Sequence, residues 1–209
     1  MKLAIFGASG RTGRPLVEQA LAAGHDVTVL VRTPSSFPLK HERLNVVQGS
    51  VEDAAKVNQA VAGADAVLSV LGHTKSSNKD VLTVGTRNII NAMNKHGVRR
   101  LISLTGAGVR DPHDQPKLVD KVFGFALARL QPDLLRDSEN HVKVIQESDL
   151  DWIVVRGPRL TEGPRTGKYR VGYVGKDSGT QASRADIADF MLKQVTHNTY
   201  VHKLPVVSY

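Results

Sequence analysis

Cysteine is absent from the chain. That one absence removes disulfides, thiolate nucleophiles, iron–sulfur clusters and Cys-ligated zinc. It suits a reducing compartment, and a cytoplasmic protein is expected. Long apolar runs are lacking too. None approaches the ~18 residues that a membrane span requires, so no membrane association is expected. The N-terminal run Leu3–Phe6 is too short for the core of a secretory leader, and no small-residue cleavage site follows it. The eight histidines are dispersed, without a His-Glu-x-x-His pattern, which argues against a metal site. Neither Ser103 nor Ser138 sits in a Gly-x-Ser-x-Gly turn, which argues against a serine hydrolase.

What is present is an excess of positive charge, formally +8 over 209 residues. A basic field attracts polyanions of every kind. Here the positive residues are scattered, and the densest stretch, Arg156 to Lys176, reads as a basic loop and hairpin near a cleft. No nucleic-acid partner is expected. The length fits one domain, residues 1–209, with a sizeable core.

Short β-rich apolar runs alternate with helical patterns. Lys2–Phe6, Asp26–Val31, Leu44–Val47, Ala66–Leu71, Leu101–Leu104 and Trp152–Val155 read as strands. Between them, Arg11–Ala23 reads as a helix with Leu16, Val17, Ala20 and Leu21 on one face, and Glu52–Ala62 as a second. A third begins at Asp80, as its cap, and is closed by Gly97. About forty mostly helical residues precede the sixth strand. Unbroken apolar strands alternating with helices predict a doubly wound parallel α/β sheet of the Rossmann kind, with helices on both faces. The tail adds an alternating segment Lys168–Val174, a capped helix Ser183–Val195 and a last strand Leu204–Val207, enough for one wall of a pocket. The segment Lys117–Leu130 is rich in bulky apolar residues: Val122, Phe123, Phe125, Leu127 and Leu130. It reads either as a lid mobile about Gly124 or as a helix packed on the core or a partner subunit.

Gly7, Gly10 and Gly13 form Gly-x-x-Gly-x-x-Gly between the first strand and the first helix. Glycines permit the tight turn and let backbone N–H groups approach a pyrophosphate, while the helix N-terminus adds partial positive charge. An NAD-selecting protein usually places an acid at the end of the second strand to bind the ribose 2′-hydroxyl. This chain has Val31-Arg32-Thr33 there. A guanidinium grips a 2′-phosphate that an acid would repel, so NADPH is expected over NADH. Arg11, inside the turn, adds a second positive charge, and Ser9 and Thr12 add hydroxyl donors.

Several segments together resemble a known family. They are G-A-S-G-R-T-G, V-T-V-L-V-R, G-T-R-N-I-I-N-A-M-N-K-H-G-V, E-S-D-L-D-W-I-V-V-R-G-P and S-R-A-D-I-A-D-F-M-L. The chain is similar to the atypical short-chain dehydrogenase/reductases, and within them to biliverdin-IXβ reductase/flavin reductase and NmrA-like proteins. The resemblance implies nucleotide contacts from the glycine turn and Arg32, from Ser50 and Val51, and from Leu71 and Gly72. It places Thr105 and Pro158 beside the nicotinamide, and Ser138 and Arg159 in the substrate pocket. Gly106 stands where the flavin reductase group has a serine.

The larger dehydrogenase family uses a Tyr-x-x-x-Lys pair on the helix before the sixth strand. Residues Leu134–Ser148 contain no tyrosine, so ordinary alcohol dehydrogenation and sugar epimerisation are not expected. Hydride transfer to a flavin, a quinone or a similar planar acceptor needs less of the protein, because the cofactor carries the hard chemistry. Thr105 is the candidate polar group at the nicotinamide. His141, four residues from Asp137 on a helix, is a candidate proton donor that Asp137 would orient. The expectation is an NAD(P)H-dependent reductase, monomeric or a small homo-oligomer. The alternative is a non-catalytic redox sensor of the NmrA-like type.

Overall fold

The computed structural model describes residues 1–209, apart from the side chains at positions 119, 121, 123, 126 and 127. Ten strands and six helices alternate along it: β1 (Lys2–Phe6), α1 (Gly13–Ala22), β2 (Asp26–Val31), β3 (Leu44–Gln48), α2 (Ala54–Val61), β4 (Ala66–Ser69), α3 (Val81–His96), β5 (Arg100–Gly106), α4 (Leu118–Leu130), α5 (Pro132–Gln146), β6 (Asp151–Gly157), β7 (Arg159–Thr161), β8 (Arg170–Gly172), β9 (Gln181–Ser183), α6 (Arg184–Lys193) and β10 (Val206–Ser208). The main sheet runs β3-β2-β1-β4-β5-β6-β10-β8. Its pairs are parallel except the last, where β8 lies antiparallel to β10. A separate parallel pair, β7 with β9, was not apparent from the residue pattern.

The apolar runs form strands because both faces of the sheet are covered. On one face Leu3, Ile5, Val27 and Val29 pack with Leu16, Val17, Ala20 and Leu21 of α1 and with Ile187 and Met191 of α6. On the other, Ala4, Phe6, Val67 and Val154 pack with α2, α3 and α5 through Val57, Ile89, Met93 and Ile145. The face expected for α1 is the one it buries. Each large aliphatic side chain withdrawn from water in this way contributes about 1.5–3 kcal/mol.

The helix ends were only partly foreseen. Asp53 caps α2 and Ser183 caps α6, each with its own side chain on N–H groups of the first turn. Asp80 occupies the cap position of α3 but its side chain caps nothing. The orphan amides there are met by Asp137 of α5, whose carboxylate accepts from Leu82 N at 2.9 Å and Thr83 N at 3.0 Å. Gly97 closes α3 in the left-handed region, as its position implied.

Two readings of the chain are corrected. Arg156 does not belong to a basic loop: it lies in β6 and is fully buried. Its guanidinium donates to the Asp114 carboxylate at 2.7 and 2.8 Å and to the carbonyls of Val109 and Leu204. Burial would raise the Asp114 pKa, but the bonds from Arg156 and from backbone amides hold it below the usual carboxylate value. The segment rich in bulky apolar residues is helix α4, yet Leu118, Val122, Phe125 and Leu130 are exposed rather than packed on the core. Phe123 and Leu127 lie outside the described side chains.

The buried ion pair ties the loop after β5 to β6. Asp114→Ala leaves an unpaired guanidinium in the interior and is expected to cost about 3–5 kcal/mol in urea denaturation. Asp114→Leu combined with Arg156→Met should recover most of it; an Asp114→Ala loss below about 1 kcal/mol would mean that water reaches Arg156.

Candidate dinucleotide and acceptor cleft

At the carboxyl ends of the parallel strands lies a cleft of about 720 Å³. It opens where the strand order reverses, between β1 and β4, the place at which open α/β sheets take their ligands. The turn after β1 forms its floor. Gly7 has φ +81°, and a Cβ there would stand 2.5 Å from the Val70 carbonyl oxygen. A Cβ on Gly13 would stand 2.1 Å from the Gly7 carbonyl oxygen. Only glycine allows the start of α1 to come this close to the end of β1. Thr12, at the α1 N-terminus, makes no capping hydrogen bond with its side chain. The Arg14 amide donates to the Gly10 carbonyl at 3.0 Å and Pro15 carries no N–H, but among the described residues no protein group accepts from the amides of Arg11, Thr12 and Gly13; free N–H groups beside the positive end of a helix are what a pyrophosphate requires.

Gly7, Ser9, Gly10, Arg11 and Thr12 line the cleft, and Gly13 lies behind them. Arg32 lines one end together with Ser50 and Val51, and its guanidinium reaches Thr74 Oγ1 at 3.5 Å. Leu71 and Gly72 form the middle of one wall. Thr105, Pro158 and Ser138 line the other end. The Thr105 hydroxyl is buried and has no hydrogen-bond partner among the described residues; a buried polar group of that kind is expected to meet a ligand or water. Ser138 donates to the Leu134 carbonyl at 2.8 Å.

Two of the expected positions are corrected. Arg159 begins β7 with its side chain exposed and does not line the cleft; the next residue, Leu160, does. His141 is buried and absent from the lining, with Nδ1 3.4 Å from Thr86 Oγ1. Desolvation pushes its pKa down to about 4 against a weaker opposing pull from Asp137. The neutral ring lies under the surface behind the cleft wall, and Asp137 holds a different histidine.

That histidine is His73, in the loop after β4. Its Nε2 lies 2.9 Å from Asp137 Oδ2, and it lines the cleft. It went unnoticed because Asp137 is 64 residues away in the chain, beyond any local pattern. Arg184 was missed likewise. The first residue of α6, it lines the cleft and donates to the Leu160 carbonyl at 3.0 Å and to Glu162 at 2.7 Å. The same Glu162 carboxylate meets Arg11 of the glycine turn at 3.4 Å.

The topology, the glycine turn and the open amides at its helix define a dinucleotide-binding Rossmann protein. The chain belongs to the NAD(P)H-binding family, whose model matches residues 7–198. It is 30% identical over 189 residues to a 3-diazoavenalumate denitrifying reductase of a Streptomyces species, covering 82% of this chain and 60% of the relative. In fold it is similar to a short-chain dehydrogenase/reductase of Veillonella parvula in complex with NADP, with a TM-score of 0.82 at 21% identity over 100% of this chain and 94% of the other. It is similar also to an anaerobilin reductase of Escherichia coli O157:H7, with a TM-score of 0.77 at 22% identity over 100% and 97%. The chain spans 16% to 61% of the length of the curated relatives compared. Among the described residues no helix is long and apolar enough to cross a membrane.

The buried imidazole of His141 gives a pH dependence of known sign. Unfolded, it takes up a proton near its ordinary value of 6.5; folded, it refuses the proton until about pH 4. Its contribution to stability is thus complete above the first value and lost as pH falls toward the second. At about 1.4 kcal/mol per unit the whole contribution is roughly 3–3.5 kcal/mol, of which about 2–3 kcal/mol is lost by about pH 4.5. Urea unfolding at neutral pH and near pH 4.5 should show that extra acid loss in the wild type and not in His141→Gln. Parallel curves would show that the ring is hydrated.

Proposed function

We propose that the protein is an NADPH-dependent reductase that passes hydride to a flavin, a quinone or a similar planar acceptor. The observation that carries this reading is the continuity of the cleft. One trough runs from Arg32, past the glycine turn, to Thr105, Ser138, Leu160 and Arg184. A dinucleotide laid along its first part leaves a second part for another ring system. The reductase names of relatives support the same class of chemistry.

Gly7, Gly10 and the amides of Arg11, Thr12 and Gly13 hold the pyrophosphate, with the Ser9 and Thr12 hydroxyls as added donors. Arg32 and Arg11 supply positive charge for the 2′-phosphate, and Ser50 and Val51 flank the adenine. Leu71 and Gly72 lie along the ribose, and Pro158 closes against the nicotinamide. Bound NADPH supplies the hydride. Thr105 orients the nicotinamide with its otherwise unpartnered hydroxyl, and Ser138 borders the acceptor. Stacking two rings in a fixed relation is most of what such a transfer asks of the protein.

Arg32→Ala should weaken NADPH about ten- to a hundredfold in a fluorescence titration, the value of one charge-assisted contact. NADH affinity should barely change. Equal weakening of both would remove the assignment of Arg32 to the 2′-phosphate.

The reductase reading is tested by adding riboflavin, FMN or a quinone to protein with NADPH and following the nicotinamide absorbance. Acceptor-dependent oxidation supports it. Tight binding with no oxidation by any acceptor would assign the chain to non-catalytic redox sensing.

A further inference from the structure

The loop between β4 and α3 carries a histidine with one nitrogen committed and one unclaimed. His73 Nε2 lies 2.9 Å from Asp137 Oδ2. Among the described residues no protein group bonds its Nδ1. The ring is partly exposed and lines the cleft alongside Leu134 and Ser138. Asp137 cannot turn away from it. The aspartate is buried, and its carboxylate also accepts from Leu82 N at 2.9 Å, Thr83 N at 3.0 Å and the Thr83 hydroxyl at 2.5 Å.

The chemistry of this pair is directional. A carboxylate only accepts, so the hydrogen between the two residues belongs to His73 Nε2. Nδ1 then accepts in the neutral ring and donates in the imidazolium. Anchoring the loop to α5 needs one donor, which serine, asparagine or glutamine would supply. Imidazole adds a second nitrogen that can take up and give back a proton, on a residue that lines the cleft. Asp133 of α5 also lies near the ring. It is engaged by Lys79 at 2.7 Å and Arg136 at 2.9 Å.

We propose that His73 and Asp137 are the proton-delivering pair of this cleft, standing in for the missing Tyr-x-x-x-Lys pair. The proposal rests on the reductase reading. A neutral quinone or flavin gains a hydride from NADPH, leaving NADP⁺ and a reduced acceptor anion. The Nδ1–H bond of the His73 imidazolium breaks, and an O–H or N–H bond forms on that anion. The neutral ring regains a proton from solvent at the cleft mouth. Asp137 is a positioning residue: it fixes the tautomer and offsets the charge of the imidazolium. The acceptors served are neutral planar molecules whose reduced form must be protonated.

The test compares His73→Gln with wild type on two acceptors. Glutamine keeps a donor for Asp137 but no exchangeable proton. One acceptor is a neutral quinone, menadione; the other is N-methylacridinium, a planar cation that needs hydride alone. With menadione, kcat should fall about a hundredfold or more, the range of general acid catalysis. The acridinium rate and the NADPH affinity by fluorescence should be unchanged. Equal loss on both acceptors would show a loop anchor only, and no loss on either would remove His73 from the reaction; both overturn the pair. A wild type that reduces acridinium but not menadione also overturns it. A wild type that oxidises NADPH with neither overturns the reductase reading itself. Without cofactor, nitrogen NMR of the His73 ring should show Nε2 protonated throughout while Nδ1 titrates. An unprotonated Nε2 would end the proposal by itself.

Discussion

The cleft depends on one backbone approach. The start of α1 passes so close to the end of β1 that a methyl group at Gly13 would sit 2.1 Å from the Gly7 carbonyl oxygen. This contact sets the start of α1 directly against the end of β1. From β1 the chain winds outward through β2 and β3, then returns on the other side to β4. The gap left by that reversal is the trough, and the turn from Gly7 to Thr12 lines it. Displacing the turn would leave the sheet standing but remove its anion site.

A second constraint organises the wall of the cleft around His73. Asp137 closes the N-terminus of α3 from another helix and holds His73 with the same carboxylate. Side-chain caps of this kind usually come from the residue next to the helix, as Asp53 and Ser183 show here. Borrowing the cap from α5 joins α3, α5 and the loop after β4 into one unit. The fit of three elements is then set by one buried anion, and the position of His73 is as fixed as the start of α3.

Legibility in the sequence follows the range of the interactions. The glycine turn, the strand runs and the buried face of α1 are local patterns, readable within a dozen residues. Strand ends are local too, and the family resemblance that implied Thr105, Pro158, Leu71 and Gly72 agreed with their place at strand ends, where the cleft lies. Arg156 misled because its neighbours in sequence are basic, whereas its partner Asp114 lies 42 residues back. His141 misled because a spacing of four puts two residues on one side of a helix without saying which other element Asp137 faces. Arg159 and Leu160 differ by the alternation of a strand, β7, too short to announce itself. Arg184 and His73 enter the site only through contacts made across the fold.

The exposed position of Arg11 has a kinetic meaning. Its side chain is 76% exposed, and its partner Glu162 is 63% exposed. Such a pair holds little free energy and yields readily to an arriving phosphate. With Arg32 also exposed and a formal charge of +8 behind them, the mouth acts as an electrostatic funnel for dinucleotides. Screening at physiological ionic strength acts over about 8 Å, so salt slows encounter far more than it loosens the dry contacts of the glycine turn. The buried pair of Arg156 and Asp114 is shielded from the same ions. Ionic strength therefore separates how fast the protein is found by its cofactor from how firmly its fold persists.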